Sequence, residues 1–277
     1  MPSPRADAPP VTRPSIAIVV AFFGRAPLWL PAFLLSCREN RDVRWFLYTD
    51  FEVAGAFPPN VTLRRTDLRE LSQRTSDVLG TKVEIQQAWK VNDLKPAYGL
   101  IFADDLQPFD FWAQADLDIV WGDIRHFITD SILSENDIVS SRSGRASGHF
   151  NLYRNTPEIN RTFELIPNVA QAIATPQYLH LDERELTRHL KQRLRRTPRD
   201  SAPRVHWPQE LTLDAAYQRA LGNDQGLWWR NGKTFGAEGQ EVMYVHFNKL
   251  KKDMTVINFE YDDAPTAFMI DRRGFLA

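Results

Sequence analysis

The first part of the chain alternates short apolar runs with segments of helical spacing. Residues 16–22 (IAIVVAF) form a continuous apolar run rich in β-branched side chains, which predicts a strand buried on both faces. Gly24 ends this run, helical spacing follows over residues 28–37, and residues 43–48 (VRWFLY) predict a second buried strand. A strand–helix–strand order is typical of a parallel sheet covered by helices, with ligands bound at the carboxyl ends of its strands.

The middle of the chain continues this alternation. Further strands are predicted at residues 61–63, 109–115, 138–140 and 150–153. Helical segments are predicted at residues 67–71, 83–90 and 97–102. Asp123 precedes the segment IRHFI, and we expect its carboxylate to cap a helix by accepting from free N–H groups.

The last part of the chain carries a basic helix and a hairpin signal. Leucines at positions 186, 190 and 194 predict a helix over residues 182–199, whose other positions are mainly Arg, Lys and His. This basic run is most simply a solvated helix face, and any partner of it would be anionic. Asn231-Gly232 between short aromatic segments predicts a two-residue hairpin, and residues 242–247 predict another strand.

Composition then narrows the class of protein. The 277 residues, 43% hydrophobic, suffice for one large domain, which we place at residues 15–277 after a Pro-rich, disordered tail at residues 1–14. A net charge of −1 gives no overall field for nucleic acid, and the single cysteine, Cys37, excludes an internal disulfide. The longest apolar stretch, residues 16–35, is interrupted by Gly, Arg and Pro, so we expect no transmembrane segment and a cytoplasmic protein.

The most informative stretch is FDFWAQADLDIVWGD. Asp116 and Asp118 stand two residues apart at the end of an apolar run, where strand alternation puts both on one face. Two such carboxylates repel each other unless a divalent cation or a lysine neutralises them. Mg²⁺ or Mn²⁺ would complete its shell with substrate phosphates, so the pattern favours a nucleotide or sugar phosphate as substrate. The alternative interpretation is a polar turn after a strand.

The stretch also resembles the D-x-D motif of glycosyltransferases with the A-type nucleotide-sugar fold. From about Ile16 to Met254, the chain is similar to a bacterial family near the capsule and lipopolysaccharide glycosyltransferases, through the segments IAIVVAFFG, FLYTD, NDLKPAYGLIF, FWAQADLDIVWGDI, SGHFNLYRN, LDE and YVHFNKLKK. The resemblance implies a single-domain α/β fold of this type, with a mixed, mostly parallel central sheet flanked by helices. It also implies transfer of a sugar from a nucleoside-diphosphate sugar to a glycan or lipid-linked acceptor in surface polysaccharide synthesis.

The resemblance further implies roles for charged residues on the donor side. The histidine of HFNKLKK, His246, would be the third metal ligand beside Asp116 and Asp118, as in retaining glycogenin-like enzymes, or else a partly buried histidine at a strand end. Lys249 or Lys251 would meet the departing diphosphate. Asp93 and Lys95 in NDLKPAYG would face the nucleotide sugar, the alternative being an exposed helix entry.

Two acidic pairs compete for the sugar side. Asp182 and Glu183 in LDERELT lie 64 and 63 residues before His246, whereas Asp224 and Gln225 in NDQGLWW lie only 22 and 21 residues before it. The longer spacing leaves room for intervening structure, so we favour Asp182 and Glu183 as catalytic residues together with Lys249. An Asp-Glu pair at a helix start is also ordinary capping.

The remaining expected contacts lie at strand ends and beside the polar loop SRSGRASGH. Those assigned to the sugar or acceptor pocket are Gly148, His149 and Asn151. Those assigned to the base and ribose are Phe22, Phe23, Gly24 and Asp50.

Two other classes of protein fit parts of the sequence. ADLDIV matches the string of aspartate-nucleophile phosphatases, with Asp116 as nucleophile, but in those enzymes the motif closes the first strand. A non-catalytic protein that binds sugar nucleotides would have the same fold. The chain has neither G-x-G-x-x-G nor a P-loop motif. The basic segment 188–199 suggests peripheral contact with anionic lipid.

Overall fold

The computed structural model describes residues 13–53, 55–209, 211–214 and 226–277. Of the predicted N-terminal tail, only Arg13 and Pro14 lie among the described residues. Asp224 and Gln225, the alternative acidic pair, lie outside them. No helix in the described part of the chain is both long enough and apolar enough to cross a membrane.

The chain folds into short strands and helices in mixed order. The strands are β1 (Ile16–Ala21), β2 (Val43–Thr49), β3 (Val61–Arg65), β4 (Phe111–Ala115), β5 (Ile119–Trp121), β6 (Ile138–Ser140), β7 (Phe150–Arg154), β8 (Val205–His206), β9 (Thr212–Asp214), β10 (Leu227–Arg230), β11 (Lys233–Phe235), β12 (Glu241–Val242), β13 (Tyr244–His246), β14 (Val256–Ile257), β15 (Ala267–Asp271) and β16 (Gly274–Leu276). The α-helices are α1 (Leu30–Glu39), α2 (Leu68–Leu79), α3 (Tyr98–Ile101), α4 (Ala103–Leu106), α5 (Ile124–Phe127), α6 (Asp130–Glu135), α7 (Pro157–Asn160), α8 (Val169–Ala174) and α9 (Leu186–Arg196). A 3₁₀ segment spans Ala88–Ala97, and one π-helical turn, Leu181–Glu185, leads into α9.

The central sheet has the strand order β3-β2-β1-β4-β7-β6-β8. Its neighbours are parallel except around β7, which runs antiparallel to both β4 and β6. Successive side chains of β1 enter opposite cores: Ile18 packs with residues of α1, and Val19 packs with residues of α2 and α3. The prediction of an α/β fold with a mixed, mostly parallel central sheet flanked by helices is therefore confirmed.

One helix prediction is wrong. Residues 83–87 are not helical, and the 3₁₀ segment begins only at Ala88. Val83 and Ile85 alternate into the core, and their backbone N–H groups donate to the hydroxyls of Ser76 and Ser72 on α2, at 2.8 and 2.9 Å. Because these side-chain hydroxyls satisfy the backbone, the segment does not need helical hydrogen bonds.

The C-terminal part of the chain contributes two smaller sheets. The antiparallel pair β10–β11 turns at Asn231-Gly232, where both residues have positive φ (48° and 78°), which confirms the predicted hairpin. The predicted strand 242–247 divides between two sheets, because β12 pairs with β11 whereas β13 pairs with β5 and β9. The β5–β13 pairing brings the late part of the chain to the end of β4.

Candidate metal centre

Asp116 and Asp118 lie in the connection between β4 and β5. The backbone N–H of Asp116 donates to the carbonyl of His149 at 3.3 Å, and the indole N–H of Trp29 donates to the carbonyl of Leu117 at 3.1 Å. The Leu117 side chain is buried in the core under the sheet. This side chain anchors the turn, so the two aspartates are held at the carboxyl end of β4, as the sequence predicts.

His246 reaches the two aspartates from the end of β13. Its backbone pairs with Ile119, the residue directly after Asp118. The imidazole Nε2 lies 3.6 Å from Asp116 Oδ2 and 3.4 Å from Asp118 Oδ1. Ligand atoms of all three residues lie within 4.8 Å of one another. The three predicted metal ligands thus form one cluster, although His246 is far from both aspartates along the chain.

Two lysines donate hydrogen bonds to the carboxylate oxygens that do not face His246. Lys95 Nζ donates to Asp116 Oδ1 and, at 2.8 Å, to the carbonyl of Gly148. Lys251 Nζ donates to Asp118 Oδ2 at 2.7 Å. Each aspartate therefore gives one oxygen to a lysine and turns the other toward His246.

The cluster fits a divalent cation. The separations of 3.4 and 3.6 Å between imidazole nitrogen and carboxylate oxygens are longer than a typical N–H···O hydrogen bond of about 2.7–3.2 Å. They lie within the span of two ligands that each sit about 2.1 Å from one shared ion, up to about 4.2 Å apart. Two carboxylates with one imidazole form a donor set that suits Mn²⁺, and carboxylates alone suit Mg²⁺.

Burial and neighbouring charges shift the pKa values of Asp118 and Lys95 in opposite directions. Burial raises the pKa of Asp118, but His246 and Lys251 outweigh it and hold that pKa well below its usual range. Burial lowers the pKa of Lys95, but Asp116 and Asp182 outweigh it, and the net shift is upward. Asp118 and Lys95 are therefore both charged at neutral pH.

His149 supports His246 from the side. The two imidazole rings stack with centroids 4.3 Å apart and planes inclined by 27°. Arg142 Nε donates to His149 Nε2 at 3.1 Å, so the proton of the neutral ring lies on Nδ1, which faces the Tyr244 hydroxyl at 3.3 Å. Burial, followed by the charges of His246 and Arg142, holds the pKa of His149 well below its ordinary value. His149 is therefore a neutral packing partner of His246.

Asp182 and Glu183 lie in the π-helical turn on the other side of Lys95. Asp182 is buried, with Oδ2 3.9 Å from Lys95 Nζ and Oδ1 3.4 Å from the Tyr178 hydroxyl. Burial raises its pKa to about 7, and the nearby carboxylates of Glu183 and Asp116 act in the same direction against the opposing effect of Lys95. Glu183 is exposed, and its Oε1 accepts from the backbone N–H of Gly148 at 3.1 Å.

Gly148 is the point where this turn meets the metal cluster. A Cβ at this position would lie 2.7 Å from Asp182 Oδ2 and 2.8 Å from Glu183 Cγ. The Gly148 carbonyl meanwhile accepts from Lys95. Only a residue without a side chain lets the backbone approach both acidic residues this closely, so the glycine of the polar loop has a steric role.

Asp93 supports this turn from beneath. Its carboxylate accepts from Lys90 Nζ at 2.9 Å and from the backbone N–H groups of Leu179 and Leu181 at 2.9 and 3.0 Å. Lys90 also donates to the carbonyl of Gln177 at 2.7 Å. The side chains of Asp93 and Lys90 are both buried. These contacts tie the 3₁₀ segment that carries Lys95 to the turn that carries Asp182.

The remaining predicted site residues make contacts of their own outside the Asp116–Asp118–His246 cluster. Phe22 and Phe51 meet edge to face, Phe23 is buried in the core, and Asp50 accepts from the N–H of Gly24 at 2.7 Å. All four predicted base and ribose residues follow β1 or β2, at the same sheet edge as Asp116. The side chain of Asn151 bonds the backbone of Ser147, and the side chain of Lys249 is exposed.

Sequence reasoning missed several supporting side chains. Lys90 precedes Asp93 by three residues, a spacing that favours pairing, and this signal was available in the sequence. Tyr244 precedes His246 by two residues, so the two share one face of β13. Tyr178 and Arg142 carry no comparable signal, because only the fold brings them to Asp182 and His149.

Comparison with known proteins places the chain in a family. The model of a family of unknown function, DUF6625, matches residues 18–277, and the chain belongs to this family. No curated protein sequence matches the chain.

Similar solved structures include two glycosyltransferases. Mouse xyloside xylosyltransferase 1, in its apo form, has 13% identity and a TM-score of 0.46, covering 84% of this chain and 98% of its own. The galactosyltransferase LgtC, solved in complex with donor and acceptor sugar analogues, has 10% identity and a TM-score of 0.44, covering 90% and 100%.

Proposed function

We propose that the protein is a metal-dependent glycosyltransferase that takes its sugar from a nucleoside-diphosphate sugar. The observation that carries this proposal is the convergence of Asp116, Asp118 and His246, with Lys95 and Lys251 on the outer carboxylate oxygens. Two carboxylates, one imidazole and two lysines form a site for a cation together with a polyphosphate. The resemblance of the sequence to nucleotide-sugar enzymes supports the same chemistry.

Asp116, Asp118 and His246 would hold Mn²⁺ or Mg²⁺. When bound, the ion would supply positive charge opposite the phosphates of the donor, where negative charge grows as the glycosidic bond breaks. Lys251 is 32% exposed and pairs with Asp118, so it can turn from this carboxylate to the departing diphosphate. We therefore assign the diphosphate contact to Lys251; the part predicted for Lys249 stays a prediction.

Lys95 has a different part, because its side chain is only 4% exposed. Its ammonium is buried between Asp116 and the Gly148 carbonyl, so it cannot turn to solvent without giving up both of these contacts. It fixes Asp116 relative to the Gly148 carbonyl and to Asp182, and so sets the distance between the metal cluster and the π-helical turn.

On the sugar side of the site we place Asp182, Glu183 and Gly148. The sugar contacts expected of His149 and Asn151 stay predictions, because both side chains are buried and bonded within the protein. Asp182 shares Lys95 with Asp116, and this connection to the metal cluster supports a part for Asp182 on the sugar side of the diphosphate. Glu183 is exposed and held by the Gly148 N–H, so its second carboxylate oxygen is available to a sugar hydroxyl. The glycan or lipid-linked acceptor, the surface-polysaccharide setting and retention at the anomeric carbon rest on the resemblance alone.

Incubation with a panel of nucleoside-diphosphate sugars tests the proposal. We expect at least one of them to raise the melting temperature when Mn²⁺ is present, because a ligand that binds only the native state stabilises it. The same donor should release its nucleoside diphosphate slowly, by hydrolysis, without an acceptor. His246→Ala should remove both effects, whereas His126→Ala, at an exposed histidine outside the cluster, should keep both.

Three results would contradict the proposal. One is that no donor stabilises the protein or releases diphosphate at any Mn²⁺ concentration. Another is stabilisation by a sugar nucleotide without hydrolysis or transfer, which would indicate a binding protein. The third is phosphate trapped covalently on Asp116 after exposure to a phosphomonoester, which would indicate an aspartate-nucleophile phosphatase.

A further inference from the structure

Helix α9 carries a surface that the proposed chemistry does not use. Arg188, Lys191, Gln192, Arg195 and Arg196 line a groove of about 550 Å³. Their positions follow the spacing i, i+3, i+4, i+7 and i+8, so they occupy one face of the helix. We call these five residues the basic stripe.

The opposite, apolar face of α9 packs on the core and so turns the basic stripe outward. Leu186 and Leu190 are buried in the core, and Leu194 packs partly against it. The helix contains five Lys or Arg residues and no acidic residue, although the whole chain has a net charge of −1. Positive charge is thus concentrated on this helix, and the remainder of the chain is net acidic.

The stripe keeps its charge exposed. Lys191, Arg195 and Arg196 form no ion pair with an acidic residue in the described part of the chain. Several exposed arginines elsewhere form such pairs, as Arg13, Arg64, Arg161, Arg204 and Arg273 do. Arg41, Arg69 and Arg272 form none among the described residues, but they lie far apart along the chain and are not gathered on one helix. Arg188 is the exception within the stripe, because its guanidinium pairs with Glu185. Like charges gathered on one helix face with few acidic partners favour an external anion.

The stripe is also directly connected to the candidate site. Its helix continues the π-helical turn of Asp182 and Glu183, and Thr187 Oγ1 accepts from the N–H of Ala146 in the loop that leads to Gly148. The 11 residues of α9 span about 16 Å. An anionic surface bound along the stripe would therefore lie beside the sugar end of the site.

We propose that the basic stripe docks the protein on the headgroups of an anionic phospholipid bilayer. A bilayer meets one face of the molecule only, which matches a stripe confined to one helix on an otherwise acidic chain. A nucleic acid would in addition favour aromatic side chains for base stacking, and the stripe contains none. The contact is electrostatic rather than inserted, because the exposed face of α9 has no large apolar side chain.

Vesicle co-sedimentation of the full-length protein tests this docking, and the test does not depend on the transferase proposal. We expect the protein to pellet with vesicles of phosphatidylcholine and phosphatidylglycerol, but not with pure phosphatidylcholine vesicles. Binding should fall steeply with added salt. The triple variant K191E/R195E/R196E should bind the anionic vesicles about tenfold or more weakly, with an unchanged melting temperature.

The matched control is R41E/R69E/R272E, which makes the same change in charge at exposed arginines outside α9. It should bind the anionic vesicles nearly as well as the unmodified protein. Three outcomes would overturn the proposal: no binding of the unmodified protein to anionic vesicles, equal loss of binding in both triple variants, or equal retention in both. Tighter binding of the stripe to single-stranded DNA than to vesicles at the same salt would also overturn it.

Discussion

Asp118 and Asp182 are equally inaccessible to solvent, at 3% and 2% exposure, yet their carboxyl groups behave in opposite ways. Asp118 has Lys251 at 2.7 Å and His246 at 3.4 Å, and its pKa falls well below the usual range. Asp182 has only Lys95, at 3.9 Å and shared with Asp116, and its pKa rises to about 7. Since burial is nearly equal, the neighbouring charges decide which carboxyl group keeps its charge, and around Asp182 these include the carboxylates of Glu183, Asp116 and Asp93 as well as the one lysine.

This difference divides the candidate site into two halves. The Asp118 carboxylate stays ionised at neutral pH and is suited to hold a cation. The Asp182 half can exchange a proton near neutral pH, which suits a group that faces a reacting sugar. A single lysine, Lys95, joins the two halves. Four substitutions test whether the two halves have different parts in stability and function.

The largest expected effect is at Asp93, a third buried carboxylate, which pairs fully with Lys90 at 2.9 Å. Asp93→Asn leaves the Lys90 ammonium buried without its counter-charge, and we expect a loss of about 3–5 kcal/mol in the free energy of unfolding. The double variant with Lys90→Met should recover part of this loss, because both charges are then gone. Urea denaturation measures both variants. Unchanged stability of Asp93→Asn would show that the buried Lys90–Asp93 ion pair does not stabilise the fold.

Asp182→Asn tests the raised pKa through the pH dependence of stability. Below pH ~4, Asp182 is protonated in both the folded and the unfolded protein, so its ionisation contributes nothing. Between pH ~4 and about 7 the folded protein holds a proton that the unfolded chain releases, so this group makes stability fall as pH rises.

The variant lacks this penalty. Its free energy of unfolding relative to the unmodified protein should therefore rise through that window, by a total of about 2–4 kcal/mol, and stay level above it. Urea denaturation at several pH values gives the difference curve. A flat curve would show that Asp182 ionises as readily in the folded protein as in the unfolded chain.

Gly148→Ala should disturb the Asp182 half alone. The added Cβ would lie 2.7 Å from Asp182 Oδ2, so the π-helical turn must move, at an expected cost of about 1–3 kcal/mol. We expect sugar transfer to fall while the affinity for Mn²⁺ stays the same, because the three atoms nearest the added Cβ belong to Asp182 and Glu183, and the Gly148 carbonyl can still accept from Lys95. If Gly148→Ala lowered the Mn²⁺ affinity as well as the rate of transfer, the Asp182 half and the Asp118 half would not act independently.

Lys251→Met has the smallest expected effect and acts on the Asp118 half. The lysine is partly exposed, so we expect a loss of only about 1 kcal/mol in the free energy of unfolding at neutral pH. Because neighbouring charge holds the pKa of Asp118 well below its usual range, the folded protein keeps this carboxylate ionised at pH ~4, so the loss should be as large at pH ~4 as at neutral pH and should shrink only in stronger acid. Lys252→Met, at the exposed neighbouring lysine, should change stability at neither pH.

Much of the fold follows from local patterns. The apolar runs of β1 and β2 predict buried parallel strands, and Asn231-Gly232 predicts a turn, because these signals depend on neighbouring residues only. The non-helical backbone of segment 83–87 could not be predicted, because serine hydroxyls of α2 accept its backbone hydrogen bonds and this contact exists only in the folded chain.

The candidate site divides in the same way. Asp116 and Asp118 could be predicted as a pair because charge repulsion acts over two residues. The expected strand alternation is not what joins them, since both lie in the turn between β4 and β5. His246 required the resemblance, since only the β5–β13 pairing brings it to the aspartates. The support role of Asp93 could not be predicted, because its partners Leu179 and Leu181 are distant along the chain.

The central claim is that Asp116, Asp118 and His246 hold a divalent cation beside a diphosphate. The most direct test is calorimetric titration of Mn²⁺ into the protein with a nucleoside diphosphate present. We expect saturable binding that weakens by about 100-fold or more in Asp118→Asn and is unchanged in Asp104→Asn, at an exposed aspartate outside the cluster. Equal Mn²⁺ affinity in Asp118→Asn and the unmodified protein would contradict the account.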